Sequence, residues 1–564
     1  MKIKVQWFES LSFIPVILMG LLIYVNSYNV FLADEWDTPG VLLVKDLEEN
    51  VSFNDFIAQH NESRKVFPKL IYYGLAKSIG LNIKHVIFFR FILALFCFII
   101  LLRFLQKQES NAHVFLASII SLLLFSSTQA LSLLTSIQII TIIPPFLIVL
   151  FYFLNPKLNL FSLVFLYVIF CLISTFSFAN GMLLWVLLLP VLIPAAKGDK
   201  LMSKIVLLVA FACFAITLIA YFSDYTRPAI HPSILEGLTH PLKSFRYFIL
   251  WLGSPFANSF SDPALIGSVI GCTSLFLFLI ILFNLNYRRK KLIFIVSDLF
   301  KDPWLALVLY AIISGVIASL GRSGLGVAQA LSPQYPSMAI WFYIGCIGLL
   351  SSFHNPKLRF INHFSIYSLF TVIILSYPVG FEKMKMWGQR CKEGVLTMKL
   401  LPLIPNNPLF KWNHNYGLYP ADNHPVKNKF IELTNAGLID LTFLDRKILS
   451  RNLENLNTPV GGFVTLKQGT SSTEFLGWAM IPEKQKPADF VIVCMEDESK
   501  LTPLTGLLLN EERKDVTREL QNFAHNDNWG FRKIIYDSKL KKMQLKVFAV
   551  DEETLNIYPL LNNY

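Results

Sequence analysis

The sequence predicts an α-helical polytopic membrane protein of about eleven transmembrane helices, followed by a C-terminal soluble domain that ends in a small β-sandwich. Three observations predict this class. Of the 564 residues, 54% are hydrophobic and 16% are charged, whereas an ordinary soluble domain has about 25% charged residues. Apolar runs of about 20 residues, long enough to cross a bilayer, recur through the first two thirds of the chain. The composition becomes polar after Gly380.

Each apolar run is interpreted as one span, because a helix of about 20 residues matches the thickness of the hydrocarbon layer. The first run is too long for the core of a signal peptide and has no small-residue cleavage site before Asp34, so it is predicted to be a retained helix. The predicted spans are residues 11–32, 83–105, 113–130, 132–154, 160–178, 180–196, 204–222, 264–285, 303–320, 335–352 and 362–380.

The placement of basic residues predicts the orientation. The net charge is +12, but Lys and Arg form short clusters between apolar runs, such as residues 288–291. This is typical of cytoplasmic loops and argues against a nucleic-acid surface. We expect a multi-pass protein of the inner (plasma) membrane with a cytoplasmic N-terminus and an extracytoplasmic C-terminal domain. The predicted outside segments are residues 33–82, 223–263, about 321–334, and the part after 381.

The predicted domains follow from these changes in composition. Residues 1–381 form the transmembrane domain with its outer loop 33–82, residues 382–460 form a linker and helical connector, and residues 461–564 form the β-sandwich. The last domain contains short β-type runs such as FVTL, FVIVCM and LKVFAV between turn residues. The seven cysteines show no CxxC or Cys/His ligand spacing, so neither a zinc site nor a disulfide framework is indicated.

Two outside segments have the pattern of amphipathic helices on the membrane surface. From Val66, apolar residues recur at helical spacing, while Lys65, Lys69 and Lys77 fall at other positions. Residues 243–256 form the second such segment, with two basic residues and Trp251 before a proline.

Three carboxylates, Asp34, Glu35 and Asp37, directly follow the first span. Charged groups at a membrane exit need water, a cation or a polar partner. One interpretation is catalytic, since a carboxylate here could take the proton from an acceptor hydroxyl as a general base. The other interpretation is a solvated start of the loop, in which Asp37 caps a turn.

His60, Glu62, Arg64 and Lys65 form a second polar cluster in the same loop. A helix would place His60 and Arg64, four residues apart, on one face. Arg suits phosphate through its planar donor fork, and Lys suits it as a point charge. The alternative is the start of an amphipathic helix with ordinary interfacial basic residues.

A glycine-rich turn at residues 321–326 contains Arg322, the only basic residue of its predicted outside segment, and precedes Tyr335. Glycines let a ligand approach the backbone closely, so phosphate binding is one interpretation. A plain turn with one Arg that reaches toward the membrane surface is the other. Arg90, inside the second predicted span, is an intramembrane charge that needs a partner.

These pieces, in this order, resemble the GT-C superfamily of polytopic membrane glycosyltransferases, particularly bacterial members with an extracytoplasmic β-domain. The resemblance rests on Asp34-Glu35 opening a long outer loop, on the stretch from His60 to Pro68, and on the Arg322 turn before Tyr335. Gln334 departs from the pattern, because many relatives have a basic residue there. The C-terminal segments similar to the appended β-domain are Leu476–Ala479, Arg513–Val516 and Asn528–Phe531.

The resemblance implies a GT-C-like inverting transfer of a sugar at the outer face of the membrane, from a polyprenyl-phosphate-linked donor to a cell-envelope glycan, lipid or protein acceptor. The catalytic residues that it implies are Asp34 and Glu35. The groups implied to orient the acceptor or hold a divalent cation (Mg²⁺ or Mn²⁺) are Asp37, His60 and Glu62. The groups implied to bind the donor phosphate are Arg64, Lys65, Arg322 and Tyr335. Two alternatives stay open: a transporter or flippase of lipid-linked saccharides, and an O-antigen-type polymerase or ligase.

Overall fold

The fold is described from a computed structural model of the chain. It is mostly helical and divides into two compact units. The first unit contains the described residues within 1–27, 52–79 and 83–388, and the second contains those within 28–51, 80–82 and 389–564. The domain boundaries that we expect from the sequence stay predictions. The structure describes residues 10–108, 113–195, 200–228, 231–289, 302–351, 359–400, 424–439, 459–497, 500–519, 528–535, 540 and 543–562.

The α-helices are the main elements of the first unit, and several occur in the second. Their bounds are Ile14–Asn26, Val41–Leu47, Phe53–Ile57, Val66–Ile79, Ile83–Gln106, His113–Leu124, Ala130–Leu134, Ile143–Leu154, Leu160–Thr175, Leu184–Leu187, Leu189–Ala195, Lys200–Phe222, Ile234–Thr239, Pro241–Ala257, Pro263–Arg289, Pro303–Arg322, Pro336–Ser351, Arg359–Leu400, His424–Asn435 and Lys514–Glu519.

Seven helical segments of the described chain are long and apolar enough to cross a membrane. They are Ile83–Gln106, His113–Leu134, Ser136–Lys157, Lys200–Phe222, Pro263–Phe283, Pro303–Leu325 and His363–Leu400. Four shorter apolar helices coincide with the other predicted spans: Ile14–Asn26, Leu160–Thr175, Ala179–Ile193 and Pro336–Ser351. These helices fit a membrane protein, while the count of eleven spans and the orientation stay predictions.

The end of the third predicted span and the start of the fourth are broken into short helical pieces. Residues 125–142 contain two 3₁₀ turns and the single α-turn Ala130–Leu134. Gln129 stabilises the break, because its side-chain amide donates to the carbonyl oxygens of Leu123 and Leu124, each at 3.1 Å. Pro144 and Pro145 do not break the next helix, because both lie in the first turn of Ile143–Leu154, where their missing N–H groups cost little.

The helix predicted from Val66 is present as Val66–Ile79, and its lysines are not all interfacial. Lys69 is buried, and its Nζ donates to the carbonyl oxygens of Asp55 (2.8 Å), Phe56 (3.2 Å) and Ala58 (3.0 Å). These carbonyls lie at the end of the short helix Phe53–Ile57, where an ammonium group satisfies acceptors that lack helical partners. Lys69 therefore caps a helix inside the protein.

The second predicted surface helix is instead a buried element of the first unit. The helix Pro241–Ala257 is buried throughout its second half, including Trp251. It packs closely against the helix Pro263–Arg289, since a Cβ added at Gly253 would lie 1.9 Å from the carbonyl oxygen of Gly267. Small residues allow such close contact between helices. The prediction that residues 243–256 lie on the membrane surface is wrong for this half.

The second unit contains one eight-stranded sheet that forms a half-barrel. Its strands are β3 (Gly462–Gln468), β4 (Thr473–Ile481), β5 (Lys486–Pro487), β6 (Phe490–Asp497), β7 (Lys500–Leu507), β8 (Gly530–Ile535), β9 (Leu545–Val550) and β10 (Ile557–Asn562). The order is β5-β4-β3-β10-β9-β6-β7, and β8 also pairs with β4. The strands predicted for this part of the chain are present.

Their arrangement differs from the predicted β-sandwich. The C-terminal strand β10 lies between β3 and β9, pairing in parallel with the first and antiparallel with the second. This strand joins the N-terminal and C-terminal strands of the domain, so the strands that the structure describes here form one continuous sheet and not two stacked sheets. The predicted helical stretch at about 427–455 is observed as His424–Asn435, and the rest of it, like residues 401–423 of the linker, lies outside the described residues.

Candidate functional site

The polar cluster of the first outer loop folds as a two-stranded hairpin. The strands are β1 (Gln59–His60) and β2 (Ser63–Arg64), with Gln59 opposite Arg64 and His60 opposite Ser63. Asn61, in the turn, has a φ of 51°, a conformation that Asn tolerates better than most residues. Because opposite residues share a face and neighbours alternate, His60 and Arg64 lie on opposite faces of the hairpin. The expectation that a helix places them on one face is wrong.

Arg64 is bound to protein groups on its buried side. Its Nε donates to the carbonyl oxygen of Tyr221 at 2.8 Å, and its Nη1 donates to that of Ile57 at 2.7 Å. Its Nη2 forms an ion pair with Asp224, and this hydrogen bond lowers the pKa of the Asp224 carboxyl. The Arg64 side chain is 2% exposed. Arg64 thus attaches the hairpin to the end of the helix Lys200–Phe222, and this geometry does not favour the predicted contact with a donor phosphate.

Two further contacts hold the hairpin to the same part of the chain. The side-chain amide of Gln59 donates to the carbonyl oxygen of Thr226 at 2.7 Å and accepts from the Thr226 N–H at 3.0 Å. The hydroxyl of Tyr221 donates to the carbonyl oxygen of Glu62 at 3.2 Å. These contacts fix the turn of the hairpin, and Glu62 lies in that turn.

Glu62 is the centre of a charged cluster that joins three predicted outside segments. Its carboxylate accepts from Nη2 of Arg322 at 2.5 Å, and Nδ1 of His231 lies 3.6 Å from its other oxygen. Burial raises the pKa of Glu62, but Arg322, a backbone hydrogen bond, His231 and Lys65 together outweigh that effect, so the pKa lies below its ordinary value. Glu62 is therefore an anion at neutral pH, with Arg322 as its partner.

His231 is the residue of this cluster that the sequence analysis missed. Burial, followed by the charge of Arg322, lowers the pKa of His231, and Glu62 opposes the change only in part. The imidazole is therefore neutral at pH 7. The sequence around it, His231-Pro232-Ser233, has the form of an ordinary turn and helix cap, so no local signal separates it from the protein's other histidines.

Lys65 and His60 form the other side of the hairpin. Nζ of Lys65 lies 2.7 Å from Nδ1 of His60, and Lys65 is buried. An ammonium group can only donate, so the imidazole accepts at Nδ1 in this contact. Arg322 and Lys65 bring two positive charges to the cluster and Glu62 brings one negative charge. The cluster is therefore suited to an anion.

The turn that contains Arg322 leaves open space beside it. Arg322 ends the helix Pro303–Arg322, and its side chain is 23% exposed. A Cβ added at Gly321 would meet no atom within 4 Å, and the same holds at Gly326, whose φ is +106°. A group that approaches Arg322 along this backbone meets little steric resistance.

Tyr335 lies behind this turn and is buried. Its hydroxyl donates to Oε1 of Gln329 at 3.2 Å and accepts from the hydroxyl of Tyr247 at 3.0 Å. The predicted contact between Tyr335 and a donor phosphate is not favoured, because these protein groups already occupy the hydroxyl. Tyr335 instead holds the segment after the Arg322 turn against the helix Pro241–Ala257.

The acidic stretch after the first span belongs to the second unit. Glu35 is fully buried, and its carboxylate accepts from the backbone N–H of Leu32 at 2.7 Å. The indole of Trp36 is also buried and donates to the carbonyl oxygen of Phe31 at 3.0 Å. Glu35 therefore stabilises a tight turn. Asp34 and Asp37 are half-buried in the same 3₁₀ and π-helical segment.

The predicted cation site has no matching ligand set in the part of the chain that the structure describes. No group of three or more His, Cys, Asp or Glu side chains there is arranged to hold a metal ion. Glu62, one of the predicted ligands, is paired with Arg322, and a guanidinium group repels a cation. The residues present do not fit Mg²⁺ or Mn²⁺ at this cluster.

The comparisons with known proteins do not assign a family. No protein-family model matches the sequence, and a search of curated proteins finds none similar to it. The function is therefore argued from the residues themselves.

Proposed function

We propose that the chain is an inverting glycosyltransferase, which transfers a sugar from a polyprenyl-phosphate-linked donor to a cell-envelope glycan, lipid or protein acceptor at the outer face of the membrane. The observation that carries the proposal is the cluster of Arg322, Glu62 and His231, with Lys65 beside it. It unites the ends of three segments that adjoin apolar helices. Arg322 and Lys65 together exceed the negative charge of Glu62 by one. A lipid-linked phosphate lies at the membrane interface, where such segments end.

Arg322 is the proposed ligand of the donor phosphate, with Lys65 as a second positive charge. In the proposed resting state the Glu62 carboxylate is paired with the guanidinium group of Arg322. When the donor binds, its phosphate takes the place of this carboxylate. Support comes from the half-exposed position of both side chains and from the open backbone at Gly321. Phosphate can accept two parallel hydrogen bonds from guanidinium, as a carboxylate does.

The reaction needs one proton acceptor and one leaving group. The acceptor oxygen forms a bond to the anomeric carbon of the donor sugar, on the face opposite the phosphate, and the bond between that carbon and the phosphate oxygen breaks. The hydroxyl proton passes to a carboxylate, for which Asp34 is our candidate base, and polyprenyl phosphate leaves as an anion. Glu35, previously grouped with Asp34, is assigned to the turn, and Asp37 is the candidate for orienting the acceptor.

Specific observations favour each of two alternative functions, so the experiment must test these as well. The broken segment at residues 125–142 and the buried Arg90, whose Nε has no hydrogen-bond partner among the described residues, are typical of transporters or flippases of lipid-linked saccharides. The proximity of His231 to the Glu62–Arg322 pair instead suits an O-antigen-type polymerase or ligase. In that function an outer His and Arg would replace the carboxylate as the active groups.

The decisive experiment measures release of polyprenyl phosphate by the full chain in lipid nanodiscs, supplied with a mixture of polyprenyl-phosphate sugars. Wild type is compared with Asp34→Asn and with Asp46→Asn, a half-buried carboxylate of the same unit as the matched control. Release that needs an added acceptor, persists in Asp46→Asn and is lost in Asp34→Asn supports both the enzyme class and the base.

The other outcomes separate the alternatives. Equal turnover by wild type and Asp34→Asn removes the catalytic role of Asp34, and loss of turnover in His231→Gln then favours the polymerase or ligase. If a folded protein binds polyprenyl phosphate but consumes no donor, the glycosyltransferase proposal fails and the transporter gains support.

A further inference from the structure

The strands β8, β4, β3 and β10 have one buried face and one face on which described side chains are exposed. Lys533 of β8 forms an ion pair with Glu393, near the end of the helix Arg359–Leu400. The cross-strand partner of Lys533 is Phe475 of β4, which is fully buried, as are Thr473 and Ala479 on the same face of that strand. Neighbours along a strand point to opposite faces. Arg532 and its cross-strand partner Leu476 therefore lie on the other face, which we call the outer face.

Four strands contribute one row of residues to the outer face. Leu561 of β10 is opposite Phe463 of β3, Phe463 is opposite Trp478 of β4, and Trp478 is opposite Gly530 of β8. Neighbouring strands lie about 4.8 Å apart, so the row is a strip roughly 15 Å long. Phe463 is 36% exposed and Leu561 is 46% exposed. The rings of Phe463 and Trp478 have centroids 5.6 Å apart. We call this strip the aromatic row.

Polar side chains flank the aromatic row. On the same face, Nε of Arg532 donates to the Glu474 carboxylate at 2.8 Å. Gly530 stands at the end of the row. A Cβ at this position would lie only 2.8 Å from Cγ of Arg513, so glycine leaves the room that the Arg513 side chain needs. Arg513 in turn donates to both oxygens of Asp515, at 2.8 and 2.5 Å.

Three sequence segments that have no role in the proposed reaction each contribute a residue to the aromatic row or its edge. Trp478 comes from Leu476–Ala479, Arg513 from Arg513–Val516, and Gly530 from Asn528–Phe531. They are separated in the sequence, and the pairing of β4 with β8 and the bridge between Glu511 and Gly530 bring them together. The three segments are parts of one surface.

We propose that the aromatic row and its flanking ion pairs bind a neutral glycan, with the C–H face of a pyranose ring stacked on Trp478 and Phe463. The ring faces of a sugar are apolar and its hydroxyls are polar, which matches an apolar strip between groups that donate and accept hydrogen bonds. That this glycan is the acceptor of the sugar rests on the proposed function; the binding itself does not.

The size and charge of the surface argue against other occupants. A stable protein partner buries about 800 Å² on each side, much more than a strip one side chain wide. An anionic lipid needs unpaired positive charge, whereas Arg532 and Arg513 are each paired with a carboxylate. Each ion pair offers hydrogen-bond donors and acceptors in fixed positions and has little net charge. A neutral sugar needs such hydrogen-bonding groups and no charge.

The test measures binding of fluorescent neutral tetrasaccharides, one β-linked glucan and one α-linked mannan, to the full chain in nanodiscs without any polyprenyl-phosphate donor. We expect at least one to bind, and Phe463→Thr or Trp478→Ala to weaken that binding about tenfold or more. Ile534→Thr is the matched control, because Ile534 is 39% exposed on the same face and is opposite Glu474, two rows from Trp478. It should bind as wild type does.

Each result decides the proposal. Binding that falls in Phe463→Thr and Leu561→Thr but not in Ile534→Thr supports it, even if Trp478→Ala fails to fold. The proposal is overturned if neither tetrasaccharide binds wild type, or if binding is equal in wild type and in folded Phe463→Thr. Since no donor is present, failure here leaves the transferase proposal untouched, and failure of sugar transfer leaves this binding result intact.

Discussion

Two arginines of the first unit, Arg64 and Arg322, are both predicted to bind phosphate, but their surroundings differ. Arg64 is 2% exposed and donates to the carbonyl oxygens of Ile57 and Tyr221. Arg322 is 23% exposed and donates to a carboxylate beside an open glycine backbone. The difference shows how to separate the two roles. Buried carbonyl acceptors hold an arginine permanently, whereas a half-exposed carboxylate partner can be replaced by another anion.

The largest expected effect is on the free energy of unfolding, which should depend much more on Arg64 than on Arg322. We expect Arg64→Ala to lower the free energy of unfolding by about 3 kcal/mol, because two buried carbonyls and the hairpin lose their partner. Arg322→Ala, the matched control, should change it by less than about 1 kcal/mol, since the pair with Glu62 is partly solvated. Thermal unfolding in the same detergent measures both variants, and equal shifts would contradict the comparison.

The second prediction concerns phosphate binding by the exposed arginine. Arg322→Gln should weaken binding of fluorescent polyprenyl phosphate about tenfold or more, because a charge-assisted hydrogen bond is worth about 1.5–3 kcal/mol. Arg246→Gln is the control, since Arg246 is an exposed basic residue on the helix Pro241–Ala257. Similar losses in both variants would indicate general attraction to charge and not a site at Arg322.

The third prediction is a gain of phosphate affinity, and it tests whether phosphate replaces Glu62 as the partner of Arg322. Glu62→Gln removes the negative charge that competes with phosphate for Arg322, so binding of polyprenyl phosphate should strengthen about fivefold, an effect near 1 kcal/mol. Glu432→Gln, in the second unit, is a carboxylate control. Weaker binding in Glu62→Gln would mean that Glu62 orients Arg322 instead of competing for it.

The smallest effect is a pH dependence that identifies His231. The pKa of His231 is lowered, so the imidazole is neutral at pH 7 and gains its proton only as the pH falls through that lowered value. The pKa of Glu62 is also lowered, so this carboxylate stays ionised until the pH falls below its ordinary value of about 4.5. As the pH falls through the lowered pKa of His231, the cluster therefore gains positive charge.

We expect the affinity for a polyprenyl phosphodiester sugar, whose charge does not change as His231 titrates, to rise about threefold as the pH falls from 7.5 through the lowered pKa of His231. In His231→Gln this rise should be absent. A rise of the same size in His231→Gln would assign the titration to another group.

The long apolar helices of the first unit could be predicted because their signal is local. A run of about 20 apolar residues exposes backbone N–H and C=O groups that lipid cannot satisfy, so an internally bonded helix is the stable solution. The helix Ile83–Gln106 begins where the run predicts and extends one residue past residue 105. The broken segment at 125–142 was harder, because the side chain of Gln129 stabilises it and the apolar pattern does not change there.

The hairpin could not be predicted from the same kind of signal. Residues 59–64 form two strands because Gln59 and Arg64 find partners at Thr226 and Tyr221, about 160 residues later in the chain. Spacing within the loop suggested a helix, since local periodicity contains no information on such distant acceptors. His231 was missed for the same reason, because only its distance from Glu62 distinguishes it.

The sequence by itself determined that most of this chain consists of apolar helices, that a strand-rich domain lies at its C-terminal end, and which charged residues are available. These are properties of segments, and burial of apolar surface or saturation of backbone hydrogen bonds selects them locally. The tertiary structure decided which charges act together. It buried Lys65, Lys69 and Arg64 against protein groups and brought Glu62 to Arg322 across 260 positions of the chain. Partner choice depends on distance in space, since hydrogen bonds and ion pairs act over a few ångströms.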